Sequence, residues 1–573
     1  MEEKKIIYQT FPRLFGNRNL SNIPGGSLLQ NGTGKMNDYT DRALQAIREL
    51  GCNYIWFTGL IQHAQRTDYS AFGIPGGNPH VIKGEAGSPY AITDYYAVDP
   101  DLAVDVEKRM DEFDDLVERT HRNGLKMIID FVPNHVARQY KSTLKPESVI
   151  DFGENDHAEF AFHPQNNFYY IPGHPFTPSF DLGYGGGAYV EMPAKATGND
   201  CFHASPNVND WYETVKLNYG IDYSDGSRHF DPIPDTWTKM LHILLYWSEK
   251  RIDGFRCDMA HMVPIEFWEW VIPLVKRQYP EIIFIAEIYT PALYREYLFR
   301  GHFDYLYDKV GLYDTLRAIT AGHAPASAIT SQWQALEGIQ QRMVNFLENH
   351  DEQRVASEYF AEDAWKAIPA LIVSAMMNVN PFMLYFGEEL GEHGMDAEGF
   401  SGKDGRTSIF DYWGLDKIAR WNNDGKWDNA RLTQQECALR TLYAKILTDC
   451  NREKAIAKGA FFDLMYANYE NDQFNPDKQY AFLRKEDGVL ILVIVNFDRK
   501  EINSGVWIPN HAFDFLQIEP GEYETEELLS GKLDRRLITP EQRFSCSIGP
   551  HSGLIIKIKL LTPNREKNKK TKM

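Results

Sequence analysis

The chain has 573 residues, 80 of them acidic and 60 basic, for a formal net charge of −20. That length exceeds what one hydrophobic core organises, so two or three domains are expected, and the acidic balance argues against a nucleic-acid partner. Hydrophobic residues at 43% and charged residues at 24% are ordinary for a soluble globular protein.

The N-terminus, MEEKKIIYQTF, runs from charge straight into an apolar strand with no signal-peptide core. No uninterrupted apolar window reaches membrane-spanning length, so the expectation is a cytoplasmic protein with no membrane contact. Oligomeric state has no sequence signal. Six scattered cysteines carry no CxxC pair or metal-ligand spacing. Cys52 and Cys257 fall inside apolar strands and read as small core residues.

Short apolar runs rich in β-formers recur through the first 450 residues: 5–11, 52–60, 126–132, 252–258, 282–288, 303–308, 343–349 and 381–387. Amphipathic stretches at 107–124 and 236–250 have helical spacing. Eight β-then-α units predict an α/β fold, a (β/α)8 TIM barrel, over 1–134 and 236–452; an open doubly wound sheet is the alternative on periodicity alone. Residues 135–235, rich in Gly, Pro, Asn and aromatics, are too long for a plain loop and read as an inserted domain after strand 3. From 453 to 562 the pattern becomes alternating, as in QYAFLRKEDGVLILVIVNF, and predicts a C-terminal antiparallel β domain. Residues 563–573 form a basic polar tail with the composition of a disordered segment.

Active sites of such barrels lie at the C-terminal ends of the strands. Four clusters sit there: DFVPNH (130–135), GFRCDMAH (254–261), AEIYT (286–290) and ENHDEQR (348–354). Asp130, Asp258, Glu287 and Asp351 would therefore crowd one mouth. Gathering like charges is costly and calls for a chemical reason. Glycoside hydrolysis supplies one, since it needs one carboxyl group protonated and another ionised. Arg256, two residues before Asp258 and on the same strand face, is expected to hold that Asp ionised. Glu287, after the apolar run IIFIA, is expected to act as the acid. His135 and His350 neighbour the carboxylates and suit hydrogen bonding to substrate hydroxyls better than metal ligation.

These clusters resemble the four conserved regions of the α-amylase family, glycoside hydrolase family thirteen. DxVxNH appears as Asp130, Val132, Asn134 and His135; GFRxDxA as Gly254, Phe255, Arg256, Asp258 and Ala260; the acid/base as Glu287; NHD as Asn349, His350 and Asp351. The resemblance implies retaining cleavage of α-glucans such as starch, glycogen or maltooligosaccharides. Asp258 would be the nucleophile, Glu287 the acid/base and Asp351 the third carboxylate. Arg256, His135, His350 and Asp130 would contact the sugar or brace the acids, and Tyr90, in GSPYAITDYY, would stack on the sugar ring. The chemistry needs no cofactor. The resemblance also implies a structural calcium between barrel and insert, with Asn134 as a ligand, although His261-Met262 stands where calcium-dependent members commonly show Lys-His. Transglycosylation by the same triad, as in a glucanotransferase or a sucrose- or trehalose-type enzyme, is the alternative. A non-catalytic binding or transporter-partner protein is a remote one, because all three acids are present.

Overall fold

A computed structural model of the protein describes residues 3–183, 185, 187–394 and 402–560. The predicted strands form because each is a short run of apolar and β-branched or aromatic residues buried on both faces, as parallel sheets require. They are β1 (Ile6–Thr10), β2 (Tyr54–Phe57), β3 (Lys126–Phe131), β4 (Gly254–Cys257), β5 (Ile283–Ala286), β6 (Tyr305–Tyr307), β7 (Met343–Phe346) and β8 (Phe382–Tyr385). They close into a parallel barrel in sequential order, β8 pairing back onto β1 through Ile6↔Phe382. The open-sheet alternative is therefore excluded.

The barrel lumen is filled by Ile7, Trp56, Ile128, Ile285, Tyr307, Val344, Phe346 and Met383. A much larger apolar layer lies between the strands and the surrounding helices. In α1 (Arg109–Arg122), Phe113, Leu116 and Val117 are fully buried. Phe113 meets Trp247 of α2 (Asp235–Glu249) edge to face at 5.1 Å. Burying a side chain of that size contributes about 1.5–3 kcal/mol. Cys52 and Cys257 are core residues, both fully buried.

The insert after β3 contains little regular structure. Two short antiparallel ladders, His135–Ala137 with Thr214–Lys216 and Tyr170–Ile171 with Ala194–Lys195, organise it. Elsewhere side chains satisfy its backbone: Asp156 accepts from the amides of Asn167 and Phe168. The extended loop after β2 holds a further antiparallel pair, Ile61–His63 with Ile92–Val98, which the sequence did not suggest.

The C-terminal region is a six-stranded antiparallel sheet of β9 (Ala460–Asp463), β10 (Gln479–Glu486), β11 (Val489–Asn496), β12 (Gly521–Glu527), β13 (Lys532–Ile538) and β14 (Ser552–Lys559). Its order is β9-β10-β11-β14-β12-β13. It packs against α3 (Ile368–Met376), where buried Arg484 donates to Met376 O at 3.1 Å. The basic tail lies outside the described residues. Among the described residues, no helix is long and apolar enough to cross a membrane.

Candidate active site

The four strand-end carboxylates converge as the sequence implies. Arg256 and Asp130 are direct register partners across β3 and β4, so their side chains enter the barrel mouth at the same level. The Arg256 side chain is 1% exposed. Its Nη1 donates to Asp258 Oδ1 at 2.8 Å and lies 3.5 Å from Asp130 Oδ1, and its Nη2 lies 2.7 Å from Glu287 Oε2. One guanidinium thus contacts three carboxyl groups, a planar fork suited to that task where a lysine would not be. The rings of Trp56, Tyr90 and Tyr307 enclose it, with centroids at 5.2–5.8 Å.

The remaining oxygens define what each acid can do. Asp258 Oδ2 is buried without a hydrogen-bond partner. Asp130 Oδ2 accepts from the Gly59 amide at 3.0 Å. Glu287 Oε2 accepts from the Met259 amide at 2.8 Å, and its Oε1 accepts from the Tyr289 hydroxyl at 2.5 Å. Delivering that amide to Glu287 holds Met259 at φ 42°, ψ 43°, the left-handed region unfavourable for a residue with a Cβ. The strain sits directly after Asp258.

Burial dominates the electrostatics. It lifts the Asp258 carboxyl well above the usual range; Arg256 pulls the other way, while Glu287 and Asp130 add to the rise. The guanidinium alone therefore does not set the ionisation of Asp258, as the sequence reading had it. Asp130 is lifted to about 6, again by burial against Arg256 and the Gly59 amide. His350 is pushed down to about 3, by burial and by Arg256. Its ring is neutral: Nδ1 accepts from the Gln9 amide at 2.8 Å, so Nε2 carries the proton facing Tyr90 Oη at 2.6 Å and Asp351 Oδ2 at 3.1 Å. His135, also buried, falls to about 3 under the added influence of Lys216 and Lys83.

Asp258, Glu287, Asp351, Tyr90 and His135 line a cleft of about 530 Å³. Asp130, Arg256 and His350 form the layer behind it, with side chains 5%, 1% and 0% exposed. They meet the acids and Tyr90 rather than the cleft itself. The sequence reading missed Trp211, Lys83, Tyr289, Lys309 and Phe410, which line the same cleft. Tyr289 was visible inside AEIYT, two residues past Glu287. Trp211 comes from the insert and packs on His135 with centroids 5.2 Å apart.

Asn134, expected as a calcium ligand, has both ends of its amide engaged by the protein. Its Nδ2 donates to Gly198 O at 2.8 Å, and its Oδ1 accepts from Lys216 Nζ at 2.5 Å. Among the described residues, no group of three or more His, Cys, Asp or Glu side chains is arranged to hold a metal. The residues around Asn134 therefore do not fit a divalent ion.

The sequence matches the family model of the α-amylase catalytic domain over residues 9–188 and 233–445. Among curated proteins it is 24% identical to the α-amylase MalA of Haloarcula japonica over 91% of this chain and 59% of that protein. It is 23% identical to neopullulanase 2 of Thermoactinomyces vulgaris over 68% of this chain and 57% of that one. The chain thus spans just under three-fifths of the length of either relative. Among solved structures it superposes on the α-amylase of Geobacillus thermoleovorans, crystallised with acarbose, with a TM-score of 0.62 at 18% identity, covering 98% of this chain and 100% of that one. With a closed eight-stranded barrel, strand-end acids on one guanidinium and a family match over most of its length, the chain belongs to the α-amylase family.

Proposed function

We propose that the protein cleaves α-glucosidic bonds in starch, glycogen or maltooligosaccharides by double displacement with retention. The observation that carries this is the sharing of Arg256 between Asp258 and Glu287 while Asp258 Oδ2 stays free at the cleft. A single guanidinium touching both groups favours a short separation, the regime of about 5–5.5 Å associated with retaining enzymes.

Each role follows from the partners. Oδ2 of Asp258 attacks the anomeric carbon while the glycosidic C–O bond breaks. Glu287 Oε2 is occupied by the Met259 amide and Arg256, so Oε1 carries the proton to the leaving oxygen. The two carboxyls share one cation, the Arg256 guanidinium. In the second step Glu287 takes a proton from water as the water oxygen attacks the same carbon and releases Asp258. Asp351 binds hydroxyls of the distorted sugar while the Nε2–H of His350 braces it from behind the cleft, and Tyr90 stacks beneath the sugar ring.

The test is turnover on starch, pullulan, maltooligosaccharides, sucrose and trehalose, with the product anomer read by proton NMR and Asp258→Asn as control. Retention, with the control down at least about 10⁴-fold, is expected. An inverted product, or a control that retains turnover, refutes the assignment. Adding an acceptor sugar separates hydrolysis from transfer, because the triad is common to both.

A further inference from the structure

Lys216 ends the short ladder at the base of the insert, pairing directly with His135. Its side chain is 3% exposed, and its Nζ reaches three oxygens from three different parts of the chain. These are Asn134 Oδ1 just past β3 at 2.5 Å, Asp200 Oδ1 of the insert at 2.7 Å, and the Met262 carbonyl, four residues past Asp258, at 3.2 Å. Three acceptors saturate the three N–H bonds of an ammonium group. The charge also balances, with one carboxylate and two neutral oxygens meeting one positive charge.

We propose that the Lys216 ammonium is the cation that fastens the insert to the barrel, in the place where the family resemblance implies calcium, so that this junction needs no divalent ion. Calcium demands six to eight oxygens and usually several carboxylates. Among the described residues Asp200 is the only carboxylate on Nζ, and the neighbouring acid is committed elsewhere: Asp210 accepts from the side chains of Asn199 and Asn207. The Asn199 carbonyl in turn accepts from the Thr197 hydroxyl. The same ammonium fixes both sides of the catalytic mouth, since Asn134 precedes His135 and Met262 follows the nucleophile loop.

The experiment compares thermal midpoints of the full chain in excess EDTA and in millimolar calcium chloride, for wild type and Lys216→Met. Methionine keeps the apolar stem and removes the charge. The expected result is a wild-type midpoint that moves less than about 1 °C between the two conditions. The variant should melt roughly 3 °C or more below wild type in EDTA, because it leaves the buried Asn134 Oδ1 without its donor and removes the clasp's other two contacts. A wild-type midpoint that rises by several degrees with calcium overturns the proposal, as does a variant that melts with wild type in EDTA. Should Lys216→Met fail to fold, Asp200→Asn removes the only carboxylate from the same clasp. It is expected to melt below wild type in both conditions, and a midpoint unchanged from wild type counts against the clasp.

Discussion

Tyr289 donates its phenolic hydrogen to Glu287 Oε1 at 2.5 Å from two residues along the same strand end, and it lines the cleft beside the acid it touches. With the Met259 amide on Oε2, this fixes the Glu287 carboxyl at both oxygens. Tyr289→Phe keeps the ring and removes only the donor. A hydrogen bond to such a carboxyl group is worth about 1.5–3 kcal/mol, so kcat is expected to fall roughly 10- to 100-fold with KM nearly unchanged. A rise in KM with kcat preserved would show that Tyr289 holds substrate instead of the acid.

Arg256 offers a sharper contrast between charge and shape. Lysine at that position preserves the charge but presents a single point donor, which cannot meet Asp258 and Glu287 together. Arg256→Lys is expected to lower kcat by at least about 100-fold through misplacement of the acids. It should also lower the thermal midpoint, since breaking one partner out of a buried ion cluster costs about 3–5 kcal/mol. Turnover within a fewfold of wild type would show that two separately held carboxylates suffice.

The strands and their acids were legible because both obey local rules. Apolar runs name the strands, and strand-end position names the mouth. The contact of Arg256 with Asp258 followed from i, i+2 spacing alone. Loops set the remainder. The Ile61–His63 ladder pairs with Ile92–Val98 through an irregular register, which erases the alternation that would announce it. Trp211 and Phe410 reach the cleft from the insert and from beyond β8, where no periodicity tells which way a side chain points. Nothing in the sequence singles out Lys216, because its burial depends on oxygens 46 and 82 residues away.

Trp211 is the largest apolar surface that the insert brings to the cleft, and it backs His135. Aromatic faces hold sugar rings through broad apolar contact, so Trp211→Ala should weaken binding without touching the acids. KM for maltooligosaccharides is expected to rise roughly tenfold, about 1.4 kcal/mol, with kcat within about twofold. A fall in kcat alone would instead assign Trp211 to the support of His135.

Asp308, at the end of β6, tests how the buried acids tie stability to pH. Its Oδ1 accepts from the Leu312 amide at 2.9 Å, and burial lifts its carboxyl from 3.8 to about 6. Because the folded value lies above the unfolded one, folding favours the protonated form. The stabilisation is complete below about pH 4 and is lost as pH rises through about 6, above which the core holds an ionised carboxylate. Asp308→Asn keeps the accepting oxygen and stays neutral throughout. Relative to wild type, its stability is expected to improve by roughly 2 kcal/mol between about pH 4.5 and pH 7.5, read as a growing offset between the two thermal midpoints. An offset that stays constant across that range would show that the Asp308 carboxyl ionises in the folded chain as it does in the unfolded one, and that burial does not raise it.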